Sequence, residues 1–210
     1  RRRGATDRDI VTQILKRGSL IVLVGLLLTG LPYHELVIHL PFGAQFDSVT
    51  PHLGLSHWRF TGVLQRIGVA YLCGALLTLR TSVKQQVMIV VVLLFGYWFA
   101  MTLIPVPGQG EIGALLLNTK DATLGAWVDR TVFGVNHLWV GSHTWDPEGI
   151  LSTFPAIGTC ILGVLAGQWI AGDRPLLERI VALFGVGAIA MMAGLMWSWA
   201  FPINKNLWTS

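Results

Sequence analysis

Five apolar runs separated by polar breaks pattern the chain: residues 18–39, 60–80, 84–104, 148–171 and 178–201. A helix needs about 20 residues to cross a hydrocarbon core of roughly 30 Å, so each run predicts a membrane-spanning helix. The first reaches that length only if His34 and Glu35 lie at the far interface. Residues 41–58, rich in Pro, Gly and polar positions, read as a loop. The third run ends at Pro105-Val106-Pro107-Gly108, and residues 105–147 then form a connection long enough to expect short helices of its own, with 121–133 the best candidate. The predicted fold is all-α, a polytopic transmembrane helical bundle with a long loop between helices three and four.

The fourth run opens on Asp146-Pro147-Glu148-Gly149, where charge meets the membrane. Pro147 suits a first helical position, Asp146 suits the cap, and Glu148 suits the positive end of the helix dipole. Pro155 removes a backbone bond to the carbonyl of Leu151 beside Ser152 and Thr153, which predicts an interrupted helix mouth. Gly163 with Gly167, and Ala190 with Gly194, have the four-residue spacing that lets membrane helices approach closely.

Composition narrows the class. With 53% hydrophobic and 12% charged residues and a mean hydropathy of +0.61, the chain reads as an integral membrane protein. Lysine and arginine gather in residues 1–17 (Arg1, Arg2, Arg3, Arg8, Lys16, Arg17) and at Arg80, Lys84, Arg174 and Arg179, all flanks of one side. The positive-inside rule places that side in the cytoplasm and explains the pI of 9.4 without nucleic-acid binding. Residues 41–59, 105–147 and 204–206 then share the opposite face. Cys73 and Cys160 fall inside apolar runs and read as packing residues, and no metal site is predicted. Because the chain opens on Arg1-Arg2-Arg3 and closes on Trp208-Thr209-Ser210, it reads as an internal fragment, residues 1–210 being part of one transmembrane domain.

Gln65 and Arg66 lie inside the second apolar run. An ionisable group there normally faces the bundle interior or a wet cavity, so function is the default reading; an internal ion pair or a side chain reaching back to the interface is the alternative. On helical spacing, Arg66 shares a face with Arg59, about 10 Å deeper.

Five motifs follow in order: Gly62-Val63-Leu64-Gln65-Arg66-Ile67; Val106-Pro107-Gly108; Val128-Asp129-Arg130 with Asn136-His137-Leu138-Trp139; Trp145-Asp146-Pro147-Glu148-Gly149-Ile150-Leu151-Ser152-Thr153; and Pro202-Ile203-Asn204-Lys205-Asn206-Leu207-Trp208. In this order they resemble the transmembrane acyltransferases of the heparan-α-glucosaminide N-acetyltransferase family, from about residue 59 to the end. The resemblance implies transfer of an acetyl group from acetyl-CoA, as co-substrate, to the amine of an amino sugar or related glycan. It implies Gln65, Arg66, Asn204, Lys205 and Asn206 for the CoA, Asp129, Arg130, Trp139 and Trp145 for the acceptor, and Asp146, Glu148 and His137 in support of catalysis. Trp127 is a further stacking candidate. The family's catalytic histidine lies upstream of the first basic flank, so the resemblance carries it to no residue of this chain. His34, His39, His52, His57 and His143 read as loop and interface residues.

Plainer roles stay open beside these. The tryptophans suit an aromatic belt, Asp129 and Arg130 a local surface ion pair worth at most about 1 kcal/mol, and Asn204–Asn206 a helix end. A transporter of a small polar or anionic solute is the competing function, since a buried arginine and an interrupted helix also suit a solute pathway. Against it, residues 18–104 and 148–201 show no correspondence of halves. The lipid bilayer and a glycan acceptor are the expected partners, and homo-oligomerisation is left open. In a bacterium the expected location is the inner membrane, with the site facing the periplasm; in a eukaryote the same topology suits the lysosome.

Overall fold

The computed structural model describes residues 6–30, 58–139, 141–204 and 207. Among these the elements are helical: α1 (Asp7–Gly30), α2 (Val63–Arg80), α3 (Val83–Leu103), α4 (Gly113–Leu116), α5 (Leu124–Phe133), a 3-10 turn (Val135–His137), α6 (Ile150–Ile170) and α7 (Leu176–Trp197). Of these, α1, α2, α3, α6 and α7 are long and apolar enough to cross a membrane. The chain is an integral membrane protein.

Helix α1 starts eleven residues before the predicted 18. Residues 7–17 are helical because Thr6 and Asp9 close a reciprocal cap: the Thr6 amide donates to Asp9 Oδ2 at 3.0 Å and the Asp9 amide to Thr6 Oγ1 at 3.3 Å. The remainder of the predicted 18–39 span, like the 41–57 part of the predicted loop, lies outside the described residues. Helix α3 is set by the same device. Ser82 and Gln85 form its capping box, so α3 starts at Val83, three residues after α2 ends at Arg80.

α2 packs on α1 on one side and on α6 on the other, and α3 packs on α6. The α1–α2 contact is close because both helices present glycine: a Cβ on Gly68 would lie 2.5 Å from Val22 Cγ2 and 3.1 Å from the Gly18 carbonyl oxygen. Among the described residues the expected small-residue contacts are not seen. Gly163, Gly167 and Gly194 face open space among the described residues, and no residue of α7 is buried. Cys73 and Cys160 are free thiols, Cys73 packing beside Ala70 and Val90, and Cys160 lying over Gly74.

The interrupted helix is likewise corrected, since α6 runs from Ile150 to Ile170 through Pro155. Proline forfeits one backbone bond near the start of the helix, while buried Ile157, Gly158 and Ile161 hold the next turns against α2 and α3. Without a half-helix end, a main support for a transport pathway is gone.

The long connection is ordered as expected for part of its length. Pro105 and Ile112 form an antiparallel bridge, α4 follows, and α5 is capped by Thr123, whose hydroxyl accepts from the Ala126 amide at 3.2 Å. Met101, Val106, Leu116, Leu117, Ala122, Leu124 and Leu207 are buried around Tyr97. This apolar floor carries the loop helix α5 and, above it, the polar site.

Candidate functional site

Gly62 ends an extended approach and α2 begins at Val63, so Arg59 and Thr61 precede the helix rather than belonging to it. The expected helical spacing between Arg59 and Arg66 is therefore not realised. Both nevertheless converge on the tetrapeptide 146–149, from two directions. Arg59 donates through Nε to Asp146 Oδ2 at 2.9 Å and through Nη2 to Asp146 Oδ1 at 2.7 Å and Glu148 Oε2 at 2.6 Å. Thr61 donates its hydroxyl to Asp146 Oδ2. From below, Arg66 Nη2 donates to the Pro147 carbonyl at 2.5 Å and to Ser152 Oγ.

The turn is also braced internally. Asp146 Oδ1 accepts the Glu148 amide at 2.9 Å, and the Gly149 amide donates to the Asp146 carbonyl at 3.2 Å. This corrects the expected cap. Asp146 bends the chain ahead of the helix, and α6 begins at Ile150, three residues later than the cap position predicts. The Ile150 amide donates instead to Asp129 Oδ1 at 2.9 Å, from α5.

Asp146 and Glu148 are buried, with side-chain exposures of 0% and 8%, and Arg59 is 19% exposed. Two carboxylates thus face two guanidinium groups in a partly dry pocket. Burial opposes charge on Arg59, but the hydrogen bonds and charges of Asp146 and Glu148 outweigh it and raise its pKa above the ordinary value. Asp129 moves the other way. Burial, helped by the charge of Asp146 and opposed by the Ile150 hydrogen bond and by Arg66 and Arg130, pushes its carboxyl up to about 7. Asp129, Asp146, Ser152, Leu151 and Tyr97 line a cavity of about 10 Å³, roughly the room of one water molecule.

The other predicted residues divide. Gln65 points away from Arg66, its Nε2 donating to Thr29 Oγ1 of α1 at 3.3 Å. Arg130 and Asp129 form no surface ion pair among the described residues: Arg130 Nη1 donates to the Asp121 carbonyl at 2.8 Å and to the Thr144 carbonyl at 2.5 Å, tying down the loop. Trp139 and Trp145 meet edge to face at 5.6 Å, and Lys120 Nζ lies 5.6 Å from the Trp145 ring centre. Trp127 is partly buried and packs against the apolar floor. Asn204 lies half-buried in the closing segment, where its carbonyl accepts from the Leu207 amide at 2.9 Å, and Tyr97 donates its hydroxyl to the Leu207 carbonyl at 3.0 Å. Lys205 and Asn206 lie outside the described residues, as do His34, His39, His52 and His57. His143 is exposed in a turn closing on Trp139.

His137 is stacked on Phe60 at 4.6 Å, with Nδ1 2.7 Å from the Trp58 carbonyl. A carbonyl only accepts, so Nδ1 carries the proton, and a neutral ring leaves Nε2 as the acceptor. Trp58 in turn donates Nε1 to the Leu26 carbonyl at 2.9 Å, which ties this wall to α1.

The chain is similar to heparan-alpha-glucosaminide N-acetyltransferase. It is 28% identical to that enzyme from Homo sapiens, and equally to that from Mus musculus, over an alignment 256 positions long that covers 99% of this chain. The chain spans 36% of the length of each relative. No protein-family model matches. The two similarities support the family relationship to which the motif order points. Arg59, which holds both carboxylates, was not among the predicted site residues. Its signal was present, since it precedes the buried Arg66 in sequence, but only the fold brings it to residue 146.

Proposed function

We propose that the protein is a membrane-bound acyltransferase that moves an acetyl group from acetyl-CoA to the amine of an amino sugar or related glycan. The observation that carries this reading is the convergence of Arg59, Arg66 and Thr61 on Asp146-Pro147-Glu148-Gly149, within a chain similar along its length to two N-acetyltransferases. In the reaction the amine forms a bond to the thioester carbonyl carbon and gives up a proton, the C–S bond breaks, and the thiolate leaves as CoA and takes up a proton. The site must therefore manage protons and developing negative charge. His137, with Nδ1–H held by Trp58, offers Nε2 in support of proton transfer. The edge-to-face pair Trp139 and Trp145 offers apolar ring surface to a pyranose. Because Asp146 and Glu148 balance the two arginines, Arg66 binds acetyl-CoA through its placement of the turn and Ser152 as much as through charge. On the positive-inside rule the site faces away from the cytoplasm, toward the periplasm if the membrane is a bacterial inner membrane.

The test is isothermal titration of acetyl-CoA into the full-length protein in detergent, with free CoA and Arg66→Ala alongside, followed by acetylation of glucosamine. Binding that weakens at least tenfold in a folded Arg66→Ala protein supports the reading. A folded wild-type protein that binds no acetyl-CoA overturns it.

A further inference from the structure

Helix α6 begins behind a residue that cannot cap it. Gly149 has no side chain, and both carboxylates just before it are engaged, Glu148 by Arg59 and Asp146 by Arg59, Thr61 and the Glu148 amide. The Ile150 amide is taken by Asp129 from α5, 21 residues earlier in sequence. A second, independent feature marks the same contact. A Cβ on Gly149 would overlap Asp129 Oδ2, although the backbone there (φ −65°, ψ 174°) is open to any residue. Glycine is needed at 149 for space, not for conformation. Asp129 is 2% exposed, and its carboxylate sits at the positive end of the α6 dipole.

We propose that Asp129 and Gly149 form a lock in which α5 supplies the N-cap of α6 and so fixes the 146–149 turn in register with Arg59 and Arg66. Asp129 is then a positioning residue rather than a contact to the acceptor. The turn is held at both ends: Arg59 and Thr61 grip Asp146, and Asp129 grips the Ile150 amide. Release of either end lets Asp146 and Glu148 move together, because the Glu148 amide is bonded to Asp146. The lock also links the loop helix to the membrane helices, so a displacement of α5 reaches the carboxylates through one hydrogen bond. As a role in catalysis, the lock rests on the acyltransferase reading.

Hydrogen–deuterium exchange on the full-length protein in detergent tests the lock without using activity. Asp129→Ala and Gly149→Ala are expected to speed exchange in a peptide covering residues 146–153 by about tenfold, the order of one lost hydrogen bond, while peptides from α1 stay at wild-type rates. Asp129→Asn keeps an acceptor oxygen and is expected to exchange within about twofold of wild type. The double variant should exchange no faster than the faster single, since both remove one contact. Wild-type exchange in Asp129→Ala, or exchange in Asp129→Asn as fast as in Asp129→Ala, would overturn the lock. If Asp129→Ala does not fold, Gly149→Ala and Asp129→Asn carry the test. In the acetyl-transfer assay, Asp129→Ala should lower kcat with little change in KM for acetyl-CoA, and Asp129→Asn should recover it. An inactive wild-type protein overturns the acyltransferase reading and leaves the exchange result to decide the lock.

Discussion

Arg59 grips Asp146 with two parallel hydrogen bonds, Nε to Oδ2 at 2.9 Å and Nη2 to Oδ1 at 2.7 Å, across 87 residues of sequence. This fork is the geometry that arginine offers and lysine does not. It also extends to Glu148, so one guanidinium bridges two buried carboxylates.

Removing that guanidinium leaves both carboxylates without their shared partner in a pocket from which water is largely excluded. Arg59→Ala is therefore expected to cost about 3–5 kcal/mol, the range for breaking a buried pair, reduced somewhat because Arg59 keeps partial contact with solvent. Arg59→Lys should recover less than half of it. Thermal unfolding in detergent measures both, and a lysine variant as stable as wild type would show that charge alone suffices.

Glu148 separates stability from function. Its side chain meets Arg59 through one oxygen, and glutamine in its place still accepts a hydrogen bond. Glu148→Gln should lose about 1–2 kcal/mol of stability, the order of a hydrogen bond to a charged group, while acetyl transfer falls by tenfold or more. Parallel losses in unfolding and turnover would make Glu148 a structural carboxylate only.

The helices were legible in the sequence because a bilayer imposes length and apolarity on each span, and α2, α3, α6 and α7 start within three residues of the predicted positions. Arg66 was legible because a charge in an apolar run needs a reason. The partnerships were not. Arg59 sits in a flank where any cation looks like an interfacial anchor, and nothing local to Asp129 or Ile150 announces a contact across 21 residues. Glycine patterns misled as well: the four-residue spacings on α6 and α7 face open space among the described residues, while the close contact uses Gly18 and Gly68, which share no spacing within one helix. Spacing reports what a helix can do, and only the partner decides which glycines are used.

That contrast gives a paired prediction. Gly68→Ala places a methyl within 3.1 Å of α1 backbone and should destabilise by about 1–3 kcal/mol, the usual penalty for overpacking. Gly163→Ala meets nothing within 4 Å and should be neutral or stabilising by up to about 1 kcal/mol, since alanine restricts the unfolded chain. Unfolding temperatures of the two variants decide it, and an equal loss in both would mean that the open face of α6 is packed in the intact protein.

The last prediction concerns pH. The Asp129 carboxyl titrates near 7 in the folded protein, against an ordinary value of 3.8, because burial disfavours its charge and Asp146 adds to that, while Arg66, Arg130 and the Ile150 amide only partly compensate. The folded state thus holds this proton more tightly than the unfolded chain. Its stabilising contribution is fully present below pH 3.8 and is lost as pH rises to about 7, after which the loss is complete. Asparagine at 129 keeps the acceptor for Ile150 and carries no titrating proton. Asp129→Asn should therefore gain on wild type as pH is raised from 5 to 7 and hold a constant advantage from 7 to 8.5. Unfolding temperatures of the two proteins across that range measure the difference, and a gap that does not change with pH would show that Asp129 keeps an ordinary carboxylate affinity beneath the turn.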